Sequence, residues 1–385
     1  MNAFLGLLFT RPNILGETFG YLQPIFWLMI FLITNSTKLN EANGVSKKKT
    51  LQKALAKIYI PILTFYFVFW IYVSIIDAAR FGSISIWVVF SNTIGLVTAI
   101  AALTRLLTED YSIILARVFV FFVLLPSIGN LLNVLFSQIF PCTQVNFANF
   151  GGRDWVYSIC SSGSVYLDDR FTGFGGEPGI FATEIALAVF LLLSTRVYSK
   201  KINIIIIPIL VFGCFSTLST TGYFALTIAL ISVLYNKSHI NSLTGFYLFA
   251  LSILPISAFS SKLLKQKALN NPASISDRFA FDSTEDYIYS WSNYFFGNTS
   301  FQTSQNPGIN LLSLSLYYGF PIIILSFLFI VRIVINLRSD LRLNGVLWIT
   351  VFTMLFSQPP VTNYLWLIVF YLATSVIMVQ HKTRK

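Results

Sequence analysis

Long stretches of the chain consist almost entirely of apolar residues, without the alternation of polar and apolar positions seen in barrel strands. The run from Ile202 to Phe215, for example, is apolar around a whole helix. A helix needs about 20 such residues to cross a bilayer, whereas outer-membrane strands alternate with a period of two. The pattern predicts an all-α polytopic membrane protein, a single integral membrane domain over residues 1–385, with about eleven transmembrane helices (range about ten to twelve). The predicted spans cover residues 15–37, 58–76, 84–104, 112–137, 179–195, 203–219, 223–236, 243–260, 310–331, 342–358 and 362–380.

The composition agrees with this pattern. Hydrophobic residues make up 55% of the chain and charged residues 11%, less than half of the ~25% typical of soluble domains. This balance excludes a cytosolic enzyme, a disordered chain and a small disulfide-rich domain.

The positive charge is distributed unevenly between the two sets of loops. Of the 26 Lys and Arg residues, 18 fall in one set and 8 in the other. The positive-inside rule assigns the richer set to the cytoplasm. The sequence therefore predicts an external N-terminus and a cytoplasmic C-terminus. The net charge of +11 then reflects topology, and no nucleic-acid partner is expected.

The three cysteines and two histidines predict one disulfide and no metal site. Cys142 and Cys160 share one predicted external loop, where an oxidising compartment favours a bond between them. Cys214 falls inside a span and is expected to be a small core residue. Both histidines fall on the predicted cytoplasmic side, so the chain offers no plausible set of zinc ligands.

Two predicted external loops are much longer than the others and rich in polar and aromatic residues. They cover about residues 138–178 and 261–309. Because functional residues concentrate on loops that a rigid scaffold positions, we expect a binding site there.

The first loop ends in a segment that suits an anionic ligand. Arg170 and a Gly-rich stretch that includes Gly173 come just before Glu177 and Pro178. Proline suits the first position of a helix, so a helix is expected to begin at Pro178, with its N–H groups and positive dipole end at the outer face. Arginine adds two-pronged binding of phosphate. The alternative is a turn in which Arg170 pairs with Asp168 or Asp169.

Two glutamates follow along the same predicted helix. Glu177 stands at its start, where an acid is favoured in any protein, and Glu184 lies seven residues further on. An ionisable group within a span is usually functional or paired. Glu184 is therefore either a functional group or the partner of Arg117 or of a buried hydroxyl.

Two further polar motifs follow. The connection between the sixth and seventh spans carries Ser219, Thr221 and Tyr223, whose hydroxyls suit phosphate or sugar binding or, alternatively, helix packing. The second long loop is marked by a combination of charged and aromatic side chains that suits a carbohydrate cleft or an amphipathic segment on the membrane. These side chains are Arg278, Asp282, Trp291 and Tyr294, followed by Phe295, Phe296 and Gly297.

Taken in order, these motifs resemble those of the O-antigen polymerases (Wzy type), which are related to the O-antigen ligases. The resemblance covers roughly residues 165–300 and rests on Arg170–Gly173, Glu177–Pro178, Ser219–Tyr223, Arg278 and Phe295–Gly297. It implies a GT-C-like glycosyltransferase of the bacterial inner membrane that joins undecaprenyl-diphosphate-linked repeat units into O-antigen or a capsule-like polysaccharide at the periplasmic face. Arg170 and Arg278 would hold the diphosphate. The ligases are expected to carry a histidine in their large periplasmic loop, and this chain has none outside, which favours the polymerase.

The implied reaction needs no cofactor, because the diphosphate is itself the leaving group. Its developing charge calls for preorganised positive groups, and Glu177 is the candidate general base, with Asp169 and Asp282 as alternatives. The partners implied are the lipid-linked oligosaccharide as donor and acceptor, membrane lipid and, as a candidate, a membrane protein that regulates chain length. A ligase or other lipid-linked glycosyltransferase, and less favourably a flippase, remain the alternative functions.

Overall fold

The computed structural model describes residues 28–32, 45–82, 86–106, 109–135, 145–146, 156–157, 178–217, 219–238, 295–297, 311–337, 341–356 and 364–382. Within these residues the chain is predominantly α-helical. Its helices are α1 (Val45–Phe81), α2 (Ile86–Leu106), α3 (Glu109–Leu135), α4 (Pro178–Ser194), α5 (Lys200–Ser216), α6 (Thr220–Ser238), α7 (Leu311–Tyr318), α8 (Pro321–Leu337), α9 (Leu341–Phe356) and α10 (Tyr364–Lys382).

The first long loop contributes a small antiparallel ladder, which the all-α prediction did not include. Strands β1 (Val145–Asn146) and β2 (Val156–Tyr157) pair with Val145 opposite Tyr157.

Most of the predicted spans coincide with helices. Two of these, Lys53–Arg80 and Tyr111–Leu132, are long and apolar enough to cross a membrane. The prediction of one continuous helix over 310–331 is wrong, because the chain breaks between α7 and α8 at Gly319, which has a φ of +100°. The predicted span 243–260, and most of 15–37, lie outside the described residues.

Helix α4 occupies the centre of the bundle. Every side chain from Phe181 to Leu192 is buried, on all faces of the helix, and α4 packs against α3, α5, α6, α9 and α10. A helix that is apolar almost all round must be covered by other helices or by lipid, and here its neighbours cover α4. Glycines allow this close packing: a Cβ on Gly222 of α6 would overlap the Cβ of Ala182, and a Cβ on Gly213 of α5 would lie 2.6 Å from Ser127 Oγ.

Several buried hydroxyl groups within the helices are satisfied by the backbone of their own helix. The side chains of Ser127, Thr350, Thr353 and Thr374 each donate to the carbonyl four residues earlier, at 2.7–2.9 Å. This arrangement hides a polar group where no water is available, and it explains how an apolar bundle accommodates so many buried Ser and Thr residues.

Contacts between the helices define two ends of the bundle. At one end Arg117 contacts Val197 O, Arg196 N contacts Gln380 Oε1, and Asn336 Nδ2 contacts Lys57 O. We call this the basic end. At the opposite end, Arg80 contacts Phe296 O and Gly222 packs on Ala182; we call this the Arg80 end.

We predict that Gly222→Ala lowers stability by about 1–3 kcal/mol, because the new methyl group overlaps Ala182 in a fully packed interface. Thermal unfolding of the detergent-purified protein measures the loss. The double variant Ala182→Gly with Gly222→Ala should recover part of it, since the clashing methyl group is removed. An unchanged melting temperature for Gly222→Ala would contradict the packing described here.

Candidate functional site

Two helix N-termini lie side by side at the Arg80 end. Helix α4 begins at Pro178, which confirms the start predicted from this proline. Helix α6 begins at Thr220 and approaches α4 so closely that Gly222 touches Ala182. Because α5 returns the chain between them, α4 and α6 run parallel from this end. The positive ends of their dipoles therefore lie together, which favours an anion.

The motif Ser219–Tyr223 forms the start of α6. Ser219 Oγ accepts a hydrogen bond from Gly222 N at 3.4 Å, the contact made by an N-cap serine. The hydroxyl of Tyr223 donates to Phe215 O at 2.8 Å, and its ring lies 5.3 Å from that of Phe215. Thr221 is buried. In this structure the hydroxyls of Ser219 and Tyr223 are engaged in holding the α5–α6 turn, which agrees with the packing interpretation of this motif.

Polar side chains are also buried below these helix starts. Glu184, 7% exposed, lies in the second turn of α4. Asn130 of α3 is fully buried, and neither polar atom of its side chain has a hydrogen-bond partner in the described part of the chain. Of the alternatives open for Glu184, the pair with Arg117 is not formed. Arg117 lies at the basic end against Val197, beyond the end of α4, which is itself about 15 Å from Glu184.

The described part of the second long loop, residues 295–297, docks against the junction of α7 and α8. Gly297 has a φ of +71°, and a Cβ there would overlap Tyr317 O; a Cβ on Gly319 would overlap Phe295 O. Each glycine therefore lets its backbone touch the other segment. We call this contact the glycine clasp.

The end of α1 holds the glycine clasp from the side. The hydroxyl of Tyr72 lies 2.7 Å from Phe295 O and 2.6 Å from Tyr318 O. Arg80 donates to Phe296 O, and its guanidinium lies 5.1 Å from the centre of the Tyr317 ring. Asp77 hydrogen-bonds to Tyr318 and lies close to Arg80.

Sequence reasoning missed these residues of α1. The available signal was Asp77 and Arg80, two opposite charges three residues apart at the end of the apolar part of α1. That spacing puts both on one face, but nothing local indicates that the face meets residues more than two hundred positions later.

Several predicted site residues lie outside the described residues. They are Cys142, Cys160, Asp169, Arg170, Gly173, Glu177, Arg278, Asp282, Trp291 and Tyr294. In the sequence, Glu177 directly precedes Pro178, the first residue of α4, and Tyr294 directly precedes Phe295 of the glycine clasp. Within the described residues there is no group of three or more His, Cys, Asp or Glu side chains able to hold a metal ion.

We predict that Gly297→Ala and Gly319→Ala each destabilise the protein more than Gly82→Ala does. All three glycines have positive φ, so each alanine costs about 1–2 kcal/mol in backbone strain. Only Gly82 has open space around its Cβ, which makes Gly82→Ala the matched control. Thermal unfolding in detergent gives the comparison. Equal losses at all three positions would show that the clasp contacts contribute nothing.

Comparison of the chain with protein-family models, with curated proteins and with solved structures finds no match.

Proposed function

We propose that the chain is a multi-pass protein of the bacterial inner membrane that polymerises undecaprenyl-diphosphate-linked repeat units at the periplasmic face. In this proposal about eleven helices cross the bilayer in a GT-C-like arrangement. The basic end faces the cytoplasm, as the excess of Lys and Arg in its loops favours, and the Arg80 end faces the periplasm.

Outward-facing side chains support embedding in lipid. Large apolar residues on the outside of the bundle are heavily exposed, among them Ile75 (59%), Ile204 (73%), Ile205 (65%) and Phe327 (61%). Soluble monomers rarely expose contiguous apolar surface on this scale, whereas lipid tails cover it without cost.

The observation that carries the proposal is the pair of helix N-termini at the Arg80 end. The positive dipole ends of two parallel helices lie together there. Helix α4 begins at Pro178, after the first long loop, and helix α6 begins at Thr220, after the α5–α6 turn. A lipid-linked diphosphate is the anion that a periplasmic glycosyltransferase must hold. Arg170 precedes α4 by eight residues, and Arg278 lies in the second loop, whose end the glycine clasp fixes at the same end of the bundle.

The proposed chemistry is a displacement at a sugar carbon. An acceptor hydroxyl oxygen forms a bond to the anomeric carbon of the donor, and the bond from that carbon to the diphosphate oxygen breaks. The electron pair leaves on the diphosphate, where Arg170, Arg278 and the two helix N-termini offset the charge. The hydroxyl proton passes to Glu177, which is bonded to the first residue of α4.

Deletion of the gene tests the function. We expect lipopolysaccharide with a single repeat unit in place of a ladder, because units are still flipped and ligated but no longer joined. Bare core with accumulated lipid-linked polymer would instead show a ligase. Accumulated unflipped units would show a flippase.

Arginine variants test the diphosphate site with the same ladder. Arg170→Lys and Arg278→Lys should each reduce polymer about ten- to a hundredfold although the charge survives, because lysine lacks the planar two-pronged contact and a charged hydrogen bond contributes about 1.5–3 kcal/mol. Arg153→Lys, in the same loop as Arg170, is the control and should be tolerated. Full polymer from Arg170→Ala and Arg278→Ala at normal membrane levels would rule out diphosphate binding.

The orientation is tested by cysteine labelling in a variant without native cysteines. Gly82 and Lys200 are both exposed, at the Arg80 end and the basic end respectively. A membrane-impermeant thiol reagent added from outside should label Gly82→Cys and miss Lys200→Cys until the cells are opened. The reverse pattern would overturn the orientation and with it the periplasmic site.

A further inference from the structure

A cleft of about 1010 Å³ opens at the basic end, between α3, the α4–α5 connection and the start of α5. Three cationic side chains line it: Arg117, Arg196 and Lys200. Among the lining residues in the described part of the chain there is no carboxylate. The described lining of the cleft therefore carries a concentrated positive charge with no acid among its residues to offset it.

The backbone around the cleft is held in place by specific contacts. Arg117 Nε donates to Val197 O at 3.0 Å, and its guanidinium lies 5.5 Å from the centre of the Tyr198 ring. Asn203 Nδ2 donates to Leu192 O at 3.1 Å, and Arg196 N donates to Gln380 Oε1 at 3.2 Å. These contacts order the α4–α5 connection, while the side chains of Arg196 and Lys200 remain exposed.

Neither the helix ends nor the tyrosine at the cleft offsets its cations. Helix α5 begins there, with Ser199 as its N-cap, and helix α4 ends there at Ser194, so the positive dipole end of one helix opposes the negative dipole end of the other. Burial raises the pKa of Tyr198 above its ordinary value of 10.0, with the nearby Arg117 acting in the opposite direction. Tyr198 therefore stays neutral at physiological pH and does not offset the cations.

One side of the cleft is apolar and continues along α5. Ile204, Ile207, Pro208 and Val233 form this wall, and Ile204 is 73% exposed. From Lys200 to Pro208 the helix rises about 12 Å. The cleft thus has cations at one end and exposed hydrocarbon beside them along the helix axis, which suits an amphiphile with an anionic head.

We infer that this cleft binds an anionic phospholipid, with its phosphate against Arg117, Arg196 and Lys200 and an acyl chain along the apolar face of α5. The inference rests on the membrane embedding proposed above and is independent of glycosyl transfer. The cleft lies at the end of the bundle opposite the two helix N-termini, so its ligand is distinct from the lipid-linked substrate. Basic pockets between helices on the cytoplasmic side commonly bind lipid head groups.

A second cleft at the same end repeats the combination. Lys53, Lys57 and Arg332 line a space of about 600 Å³ whose remaining walls include Phe65 and Leu328, again without a carboxylate among the described lining residues. Two clefts that combine cations with apolar walls at one end of the bundle suit a surface that faces an anionic leaflet.

The test is a lipid titration of the purified full-length chain in detergent, read by native mass spectrometry. Phosphatidylglycerol should bind the unaltered protein more tightly than phosphatidylcholine does. The variant Arg196→Gln with Lys200→Gln should lose about fivefold in affinity for each cation removed. Both side chains are exposed, so the fold should survive, and an unchanged melting temperature verifies this.

The matched control is Lys201→Gln, which removes a neighbouring exposed charge that does not line the cleft. It should retain the affinity of the unaltered protein, and the second cleft contributes equally in every variant. A loss in Lys201→Gln equal to the loss per removed cation in the double variant would overturn the site in favour of non-specific charge attraction. Inorganic phosphate displacing phosphatidylglycerol at similar concentration would overturn the lipid assignment in favour of a free-anion site. No donor substrate is present, so failure of the polymerase proposal leaves this result unaffected.

Discussion

The close contact between α4 and α6 is the constraint on which the rest of the site depends. Helix α4 is buried on every face, so its neighbours must approach it without gaps, and at Gly222 only a missing side chain allows this. Because α5 reverses the chain between them, the same contact brings the starts of two parallel helices together. A packing requirement thus produces a concentration of positive dipole at one end of the bundle.

The glycine clasp applies a similar principle to the second long loop. Gly297 and Gly319 bring two backbone segments into contact. The side chains of Tyr72 and Arg80 hydrogen-bond to carbonyl groups at that contact. The end of this loop is therefore fixed to α1 and to the junction of α7 and α8, at the end of the bundle where α4 and α6 begin. At the other end, cations gather around two clefts whose described lining residues include no carboxylate.

Hydropathy was sufficient to predict most helices, and the preference of proline for a first helical turn was sufficient to place the start of α4. Neither could predict the break at Gly319, because the flanking residues are apolar on both sides and the positive φ depends on a partner segment. The role of Arg80 depends on a contact 216 residues away, which no local pattern encodes. The basic cleft was missed for a related reason: Arg117 and Lys200 are ordinary loop-flanking cations until α3 and α5 meet.

We propose that the Arg80 end carries out glycosyl transfer between lipid diphosphates. The most direct test reconstitutes the purified chain in vesicles with lipid-linked repeat units, a metal chelator and no nucleotide. We expect joined repeat units, with one undecaprenyl diphosphate released for each new glycosidic bond. Movement of intact lipid-linked units across the bilayer without any new bond would contradict it.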